Sequence, residues 1–297
     1  MVKLSVVGSI NTDFVFTSEN LPKPSETIMG TGFAINYGGK GANVSVAAAR
    51  LGAKVKLFGA IGDDVFSKEN IKNLKAQKVD ISNVLTFKGV LGGAAGINVG
   101  SGTNSITVVS GANQKYDKNL ITKNLKHILD SNVVATQLET NIEGVEHLID
   151  ECNKHNVPLV FNPSPMIDLK EELLQKCAYV IVNEVEIKQL PNYQSNEQML
   201  QYYNGKLILT TGANGVYYYD NGVNHIPSLK VESRNTTGAG DTFLAAFSLS
   251  IASNKSVGDA CRFANICAGL KVTKEGTQTG MPTKTEVEQY IKTAETK

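Results

Sequence analysis

The stretch NTTGAGDTFLAAF, residues 235–247, runs from small residues and glycines into Asp241 and then straight into an apolar segment. That order puts a carboxylate where a helix begins. Glycines ahead of a helix let its backbone approach a ligand closely. The first helical N–H groups lack internal partners, and with the macrodipole they form an anion site. Asp241 has two readings in that place. It is either an N-cap contributing about 1 kcal/mol to the helix, or a general base beside a phosphate held by those amides.

Other glycine loops narrow the chemistry. Lys40 in YGGKGAN is followed by Gly41 rather than Ser or Thr, so this is not a Walker phosphate loop. No GxGxxG follows a strand, which removes the fingerprint of an NAD-dependent oxidoreductase. YGGKGAN still has the make-up of a ligand loop, with three glycines, Lys40 and Asn43 ahead of a helix; the alternative is a tight turn with a solvent-facing lysine. Asn11 and Asp13 directly follow the first strand, at the carboxyl edge where open α/β sheets bind ligands. Asp13 and Asn43 have the polarity to grip neutral hydroxyls, as a sugar requires. Glu139, Asn183 with Glu186 in NEVE, and Thr210 to Gly215 in TTGANG also fall at strand ends. Each alone fits a cap or a turn. Their shared place at successive strand C-termini is what a single cleft needs.

The elements that must position these groups alternate. Short apolar runs at 3–8, 54–62, 133–139, 158–162, 178–183 and 206–212 predict strands. Helical patterns at 43–53, 63–78, 119–129, 141–156 and 169–177, and a short helix from Glu184, fall between them. This predicts a three-layer α/β/α fold on a mainly parallel sheet. Residues 14–37 and 86–109 break the rhythm with strand-like alternation, Gly and Pro punctuation and no helix. They predict a small β-sheet lid over one edge of the main sheet, the alternative being ordinary edge strands of that sheet. No repeat or linker interrupts the chain, so residues 1–297 read as one continuous domain.

Composition excludes several classes. A net charge of +1 from 29 basic and 28 acidic residues leaves no electrostatic footprint for nucleic acid. No stretch approaches the uninterrupted apolar length of a membrane span, and the first apolar run, too short for a signal segment, stops at Gly8. Cys152, Cys177, Cys261 and Cys267 lack CxxC spacing and read as buried reduced thiols, which implies a cytoplasmic protein. The four histidines show no metal-ligand spacing.

Taken in order, these motifs resemble the ribokinase branch of the PfkB carbohydrate kinase family over nearly the whole chain. VVGSINTD resembles its opening strand. YGGKGANVSVAAARLGA with FGAIGDD resembles its N-terminal signature, and NTTGAGDTFLAAF its C-terminal one. NEVE fits its NxxE motif and LTTGANG its nucleotide-side loop. The resemblance implies ATP-dependent phosphorylation of a sugar primary hydroxyl, first D-ribose to D-ribose 5-phosphate. Deoxyribose, a nucleoside or fructose are alternatives within the family, and a non-catalytic sugar or nucleotide sensor is the competing class. It implies Asp241 as base and the amides of Gly238, Ala239 and Gly240 as anion hole. Asn11, Asp13, Gly39, Lys40, Asn43 and Glu139 would bind the sugar. Asn183, Thr210, Gly212, Gly215, Gly240 and Asn265 would face ATP, and Glu186 would organise Mg²⁺ through water. It also implies a homodimer through the lid. Two departures stand out: the family's usual Asp is Asn235 here, and its usual serine is Gly280. What remains for a monovalent cation is backbone carbonyls, those of Thr237, Lys271, Lys274 and Gly276, which predicts weak or absent K⁺ activation.

Overall fold

The structure is a computed structural model and describes residues 1–295. β1 (Lys3–Val7) is a short apolar strand, and β2 (Asn11–Thr17) and β3 (Gly32–Gly38) follow it directly. Then come α1 (Lys40–Arg50), β4 (Lys54–Gly62), α2 (Val65–Ala76) and β5 (Asp80–Phe87). β6 (Gly93–Gly100) and β7 (Thr103–Val109) form a hairpin. The next units are α3 (Lys118–Leu129), β8 (Val133–Thr136), α4 (Ile142–Lys154) and β9 (Leu159–Phe161). After α5 (Glu171–Lys176) and β10 (Tyr179–Asn183), α6 (Asn196–Tyr202) leads to β11 (Leu207–Thr210). β12 (Val216–Tyr219) and β13 (Val223–Ile226) precede α7 (Ala239–Ala252), α8 (Val257–Val272) and α9 (Lys284–Glu295).

These strands make two sheets. The large one runs β13-β12-β11-β10-β9-β8-β1-β4-β5, parallel from β11 to β5, with an antiparallel hairpin, β12 and β13, closing one edge. Alternation along its strands feeds two apolar layers. Leu4, Val6, Val133, Ala135 and Ile208 turn to the side packed by α1, α7 and α8. Val7, Val134, Leu207 and Leu209 turn to the side packed by α3, α4 and α6. Plain alternation along β4 puts Leu57 in the first layer and Phe58 in the second. All four cysteines are buried thiols; burial pushes that of Cys152 up to about 12.

The second sheet is separate, with order β3-β2-β6-β7. Two boundaries differ from expectation. β2 begins at Asn11, so Asn11 and Asp13 belong to the small sheet rather than to the loop beneath it. Residues 86 and 87 end β5 of the large sheet, and the second inserted segment joins the small sheet only from Gly93. The reason is that β5 pairs in parallel with β4 through Phe87, which extends the large sheet past its apolar stretch. Among the described residues no helix is long and apolar enough to cross a membrane.

Candidate active site

From β1 the large sheet grows to one side through β4 and β5, and the chain then returns to add β8 on the other side, so the sheet's order reverses between β1 and β8. Loops diverge at such a point and open a crevice at the carboxyl ends of the strands. Glu139, three residues past β8, sits there. Its Oε2 accepts from Ser9 Oγ (2.5 Å), the Lys40 backbone N–H (3.1 Å) and Asn11 Nδ2 (3.3 Å). Asn11 Oδ1 in turn accepts from Asn113 Nδ2 at 2.8 Å. Asn113 also pins the chain by accepting from the Ile10 N–H at 2.9 Å. One carboxylate thus ties the ends of β1, β8 and α1 into a polar pocket.

Asp13 adds a second carboxylate to that pocket. Burial, with Glu139 and Asp241 nearby, pushes its pKa up to about 7. Asn43, on the first turns of α1, donates from Nδ2 to Asp241 at 2.8 Å. Asp241 is buried on the first turn of α7, and burial raises its pKa, opposed by the Lys40 charge and the Asn43 hydrogen bond. Burial pulls the Lys40 amine down, but Asp241, Glu139 and Glu186 outweigh it and hold the amine above its usual value. Lys40 is therefore a fixed positive charge among three carboxylates.

Gly238 precedes α7 as its N-cap, with a φ of 81° that is open to glycine and costly for other residues. That turn aims the helix N-terminus into a cleft of about 560 Å³. The cleft is lined by Gly238, Ala239, Gly240 and Asp241, with Lys40 and Glu186. Asn183, Thr210, Gly212, Gly215 and Asn265 line it as well. The Ala239 N–H donates back to the Thr236 carbonyl at 3.1 Å. Asn183 and Glu186 cap each other: Asn183 Oδ1 accepts from the Glu186 N–H (2.9 Å) and Glu186 Oε2 from the Asn183 N–H (3.0 Å). NxxE is in this respect a capping box. Asn162, at the end of β9, also reaches Glu186 Oε2, at 3.5 Å.

The structure therefore gathers the expected residues into two adjoining groups. Asn11, Asp13, Gly39, Asn43 and Glu139 make the pocket, the residues expected to face ATP make the cleft with Glu186, and Lys40 and Asp241 belong to both. Four participants escaped the sequence reading: Ser9, Asn113, Asn162 and Gln278, the last donating from Nε2 to Asn43 Oδ1 at 3.0 Å. Asn113 and Gln278 carry no local signature. Asn162 does: like Asn183, it is the polar residue that ends an apolar strand.

Asn235 and Lys271 lie behind the α7 turn. Lys271 is fully buried, and its Nζ donates to the Asn235 carbonyl (2.8 Å) and Asn235 Oδ1 (3.3 Å). Burial lowers its pKa to about 8, against Glu275 and Asp241, so the amine is charged at neutral pH. The Thr237 N–H donates to Asn235 Oδ1 at 2.8 Å. Gly280 closes onto the carbonyls of Lys274 and Gly276, so that a Cβ on it would stand 3.3 and 2.8 Å from them.

A carboxylate set between a polar pocket and a cleft at a helix N-terminus suits a small-molecule phosphotransferase. The chain belongs to the pfkB family of carbohydrate kinases, whose model it matches over residues 1–284, and it is a sugar kinase. It is 40% identical over 292 residues to a ribokinase of Bacillus subtilis, covering 98% of this chain and 100% of that one. Ribokinase from Thermotoga maritima has the same fold, with a TM-score of 0.89 at 29% identity, 98% of this chain and 100% of that one being covered. Arabidopsis thaliana ribokinase, solved in complex with ribose and ATP, gives 0.88 at 27% identity, with 98% and 99% covered.

Proposed function

We propose that the protein transfers the γ-phosphoryl group of ATP to the primary hydroxyl of D-ribose, giving D-ribose 5-phosphate and ADP. The observation that carries this reading is the position of Asp241. It touches Asn43 of the polar pocket and lines the cleft beside Gly240 and Glu186.

Ribose would be held by Asn11, Asp13, Gly39, Lys40, Asn43 and Glu139, whose carboxylates and amides match a ring of hydroxyls. Asp241 takes the proton as the hydroxyl oxygen bonds to phosphorus and the bond to the ADP oxygen breaks. Its raised pKa makes it the stronger base. The amides of Gly238, Ala239 and Gly240 receive the charge on the transferred group. Ala239 must leave the Thr236 carbonyl to do so, so the turn rearranges when nucleotide enters. Asn183, Thr210, Gly212, Gly215 and Asn265 hold the rest of ATP.

A metal fits the cleft in one form. Among the described residues no group of three or more His, Cys, Asp or Glu forms a protein cage. Besides Asp241, one buried carboxylate lines the cleft, Glu186, and that suits Mg²⁺, which keeps waters and takes further oxygens from phosphates. Glu186 would hold it through water, and the bound ion would neutralise phosphate charge.

The small sheet acts in this reading as a lid that excludes water, carrying Asn11 and Asp13 on it. Its edge strands β3 and β7 expose Phe33 (58%) and Ile106 (53%), and open apolar edges favour pairing of two lids in a homodimer. Light scattering after size exclusion is expected to give a dimer, and a monomer at every concentration would remove that part.

The deciding experiment is ADP release across a panel of sugars and nucleosides. D-ribose is expected to be turned over fastest. No turnover of ribose beside rapid turnover of deoxyribose, a nucleoside or fructose would overturn the substrate.

A further inference from the structure

Behind the α7 turn the residues do not fit a monovalent cation, and the reason is another positive charge. Asn235 brings a neutral amide, and its Oδ1 already accepts from the Thr237 N–H and from Lys271 Nζ. Gly280 offers no side-chain oxygen to the nearby carbonyls of Lys274 and Gly276. The Lys271 carbonyl accepts from the Lys274 N–H at 3.1 Å. An added cation would have to share Asn235 with a buried ammonium group.

We infer that Lys271 is a built-in cation: its ammonium group replaces a dissociable monovalent ion in supporting the anion-binding turn at Gly238–Asp241. The support is geometric. Lys271 is the penultimate residue of α8, where a helix end favours positive charge. Its side chain returns to the 235–238 segment. There Nζ binds the Asn235 carbonyl and Oδ1, and Cε comes within 4.0 Å of where a Cβ on Gly238 would stand. The Arg234 and Asn235 N–H groups both donate to the Val272 carbonyl, locking that segment to the end of α8. A lysine fully removed from solvent is costly unless polar partners hold it, and these partners lie beside the base. Asn235 completes the logic: Lys271 already supplies the charge, so the position needs an oxygen acceptor but no carboxylate.

Lys271 is a positioning residue, since it acts through Asn235 and the turn, and the inference rests on the kinase reading above. The test compares potassium with choline as the salt cation at equal ionic strength. The wild-type kcat is expected to be the same in both. Lys271→Met, which keeps the length and loses the charge, should lower kcat about 10-fold or more in choline, with a smaller change in the KM for the sugar. Lys271→Met combined with Asn235→Asp should regain activity on adding potassium. Thallous-ion NMR gives a readout that needs no turnover: no bound ion in the wild type, one in the double variant. Activation of the wild type by potassium, or a thallous ion bound to it, would overturn the inference even if neither variant folds. So would a Lys271→Met enzyme with wild-type kcat in choline. Failure to phosphorylate ribose in any salt would count against the kinase reading alone, because ion binding is scored separately.

Discussion

Asn43 donates its side-chain amide to Asp241 at 2.8 Å across 198 positions of sequence. Since Nδ2 faces the carboxylate, Oδ1 must face away, where Gln278 Nε2 donates to it at 3.0 Å. Gln278 Oε1 then accepts from Asn73 Nδ2 at 2.7 Å. Three amides in a fixed head-to-tail order therefore anchor the Asp241 carboxylate between α1, α2 and the loop before α9. No step of that chain can flip without leaving a polar group unmatched.

Asp241→Asn keeps this anchor's shape and removes the base. Its kcat is expected to fall by about 10²- to 10⁴-fold, while calorimetry finds ATP still bound. Phosphorylation near the wild-type rate would exclude Asp241 as the base and reopen the sensor reading.

Gln278→Ala frees Asn43 to rotate away from Asp241. A misplaced base loses rate before it loses affinity, so kcat should drop about 10-fold or more with the KM for ATP little changed. Steady-state kinetics in both substrates separate the two. A variant indistinguishable from wild type would show that the amide chain does not position the base.

Asp13 predicts a pH dependence of stability. Its pKa rises from 3.8 in the unfolded chain to about 7 in the fold, so between those values the folded state binds a proton that the unfolded state lacks. Stability from this group is present at low pH and is lost as pH rises through about 7. Asp13→Asn should therefore melt about 2 °C or more above wild type in alkaline buffer, with the gap closing in acid, while sugar binding weakens. Melting curves across pH check it, and a gap that widened in acid would contradict the assignment.

Gly38 and Gly93 stand in register on either side of Asn11, on β3 and β6. A Cβ at Gly38 would collide with the Asp13 carboxylate, and one at Gly93 with Asn11 Oδ1 and Asn113 Nδ2. Gly93→Ala is expected to raise the KM for the sugar about 10-fold or more and leave that for ATP unchanged. An unchanged sugar KM would mean that the Asn11–Asn113 pair is not part of the pocket.

Much of this site was legible because its signals are local. A glycine turn before a helix, as at Gly238–Asp241, and a polar residue ending an apolar strand, as at Asn183, are written in a few consecutive residues. The parallel order of the large sheet followed from the alternation of strands and helices in the same way. The hairpin of β12 and β13, with α6, α8 and α9, was not read; two four-residue strands and a seven-residue helix are too short to show a period. By itself the sequence determined the fold class, the family, the Asp241 turn and the neutral residue at Asn235. The tertiary structure alone decided which amide holds the Asp241 carboxylate and where the Lys271 amine goes. Asn113 meets Asn11, Gln278 meets Asn43 and Lys271 meets Asn235 at separations of 102, 235 and 36 residues. The direction of a side chain at such range is set by the packing of whole elements, and no local pattern records it.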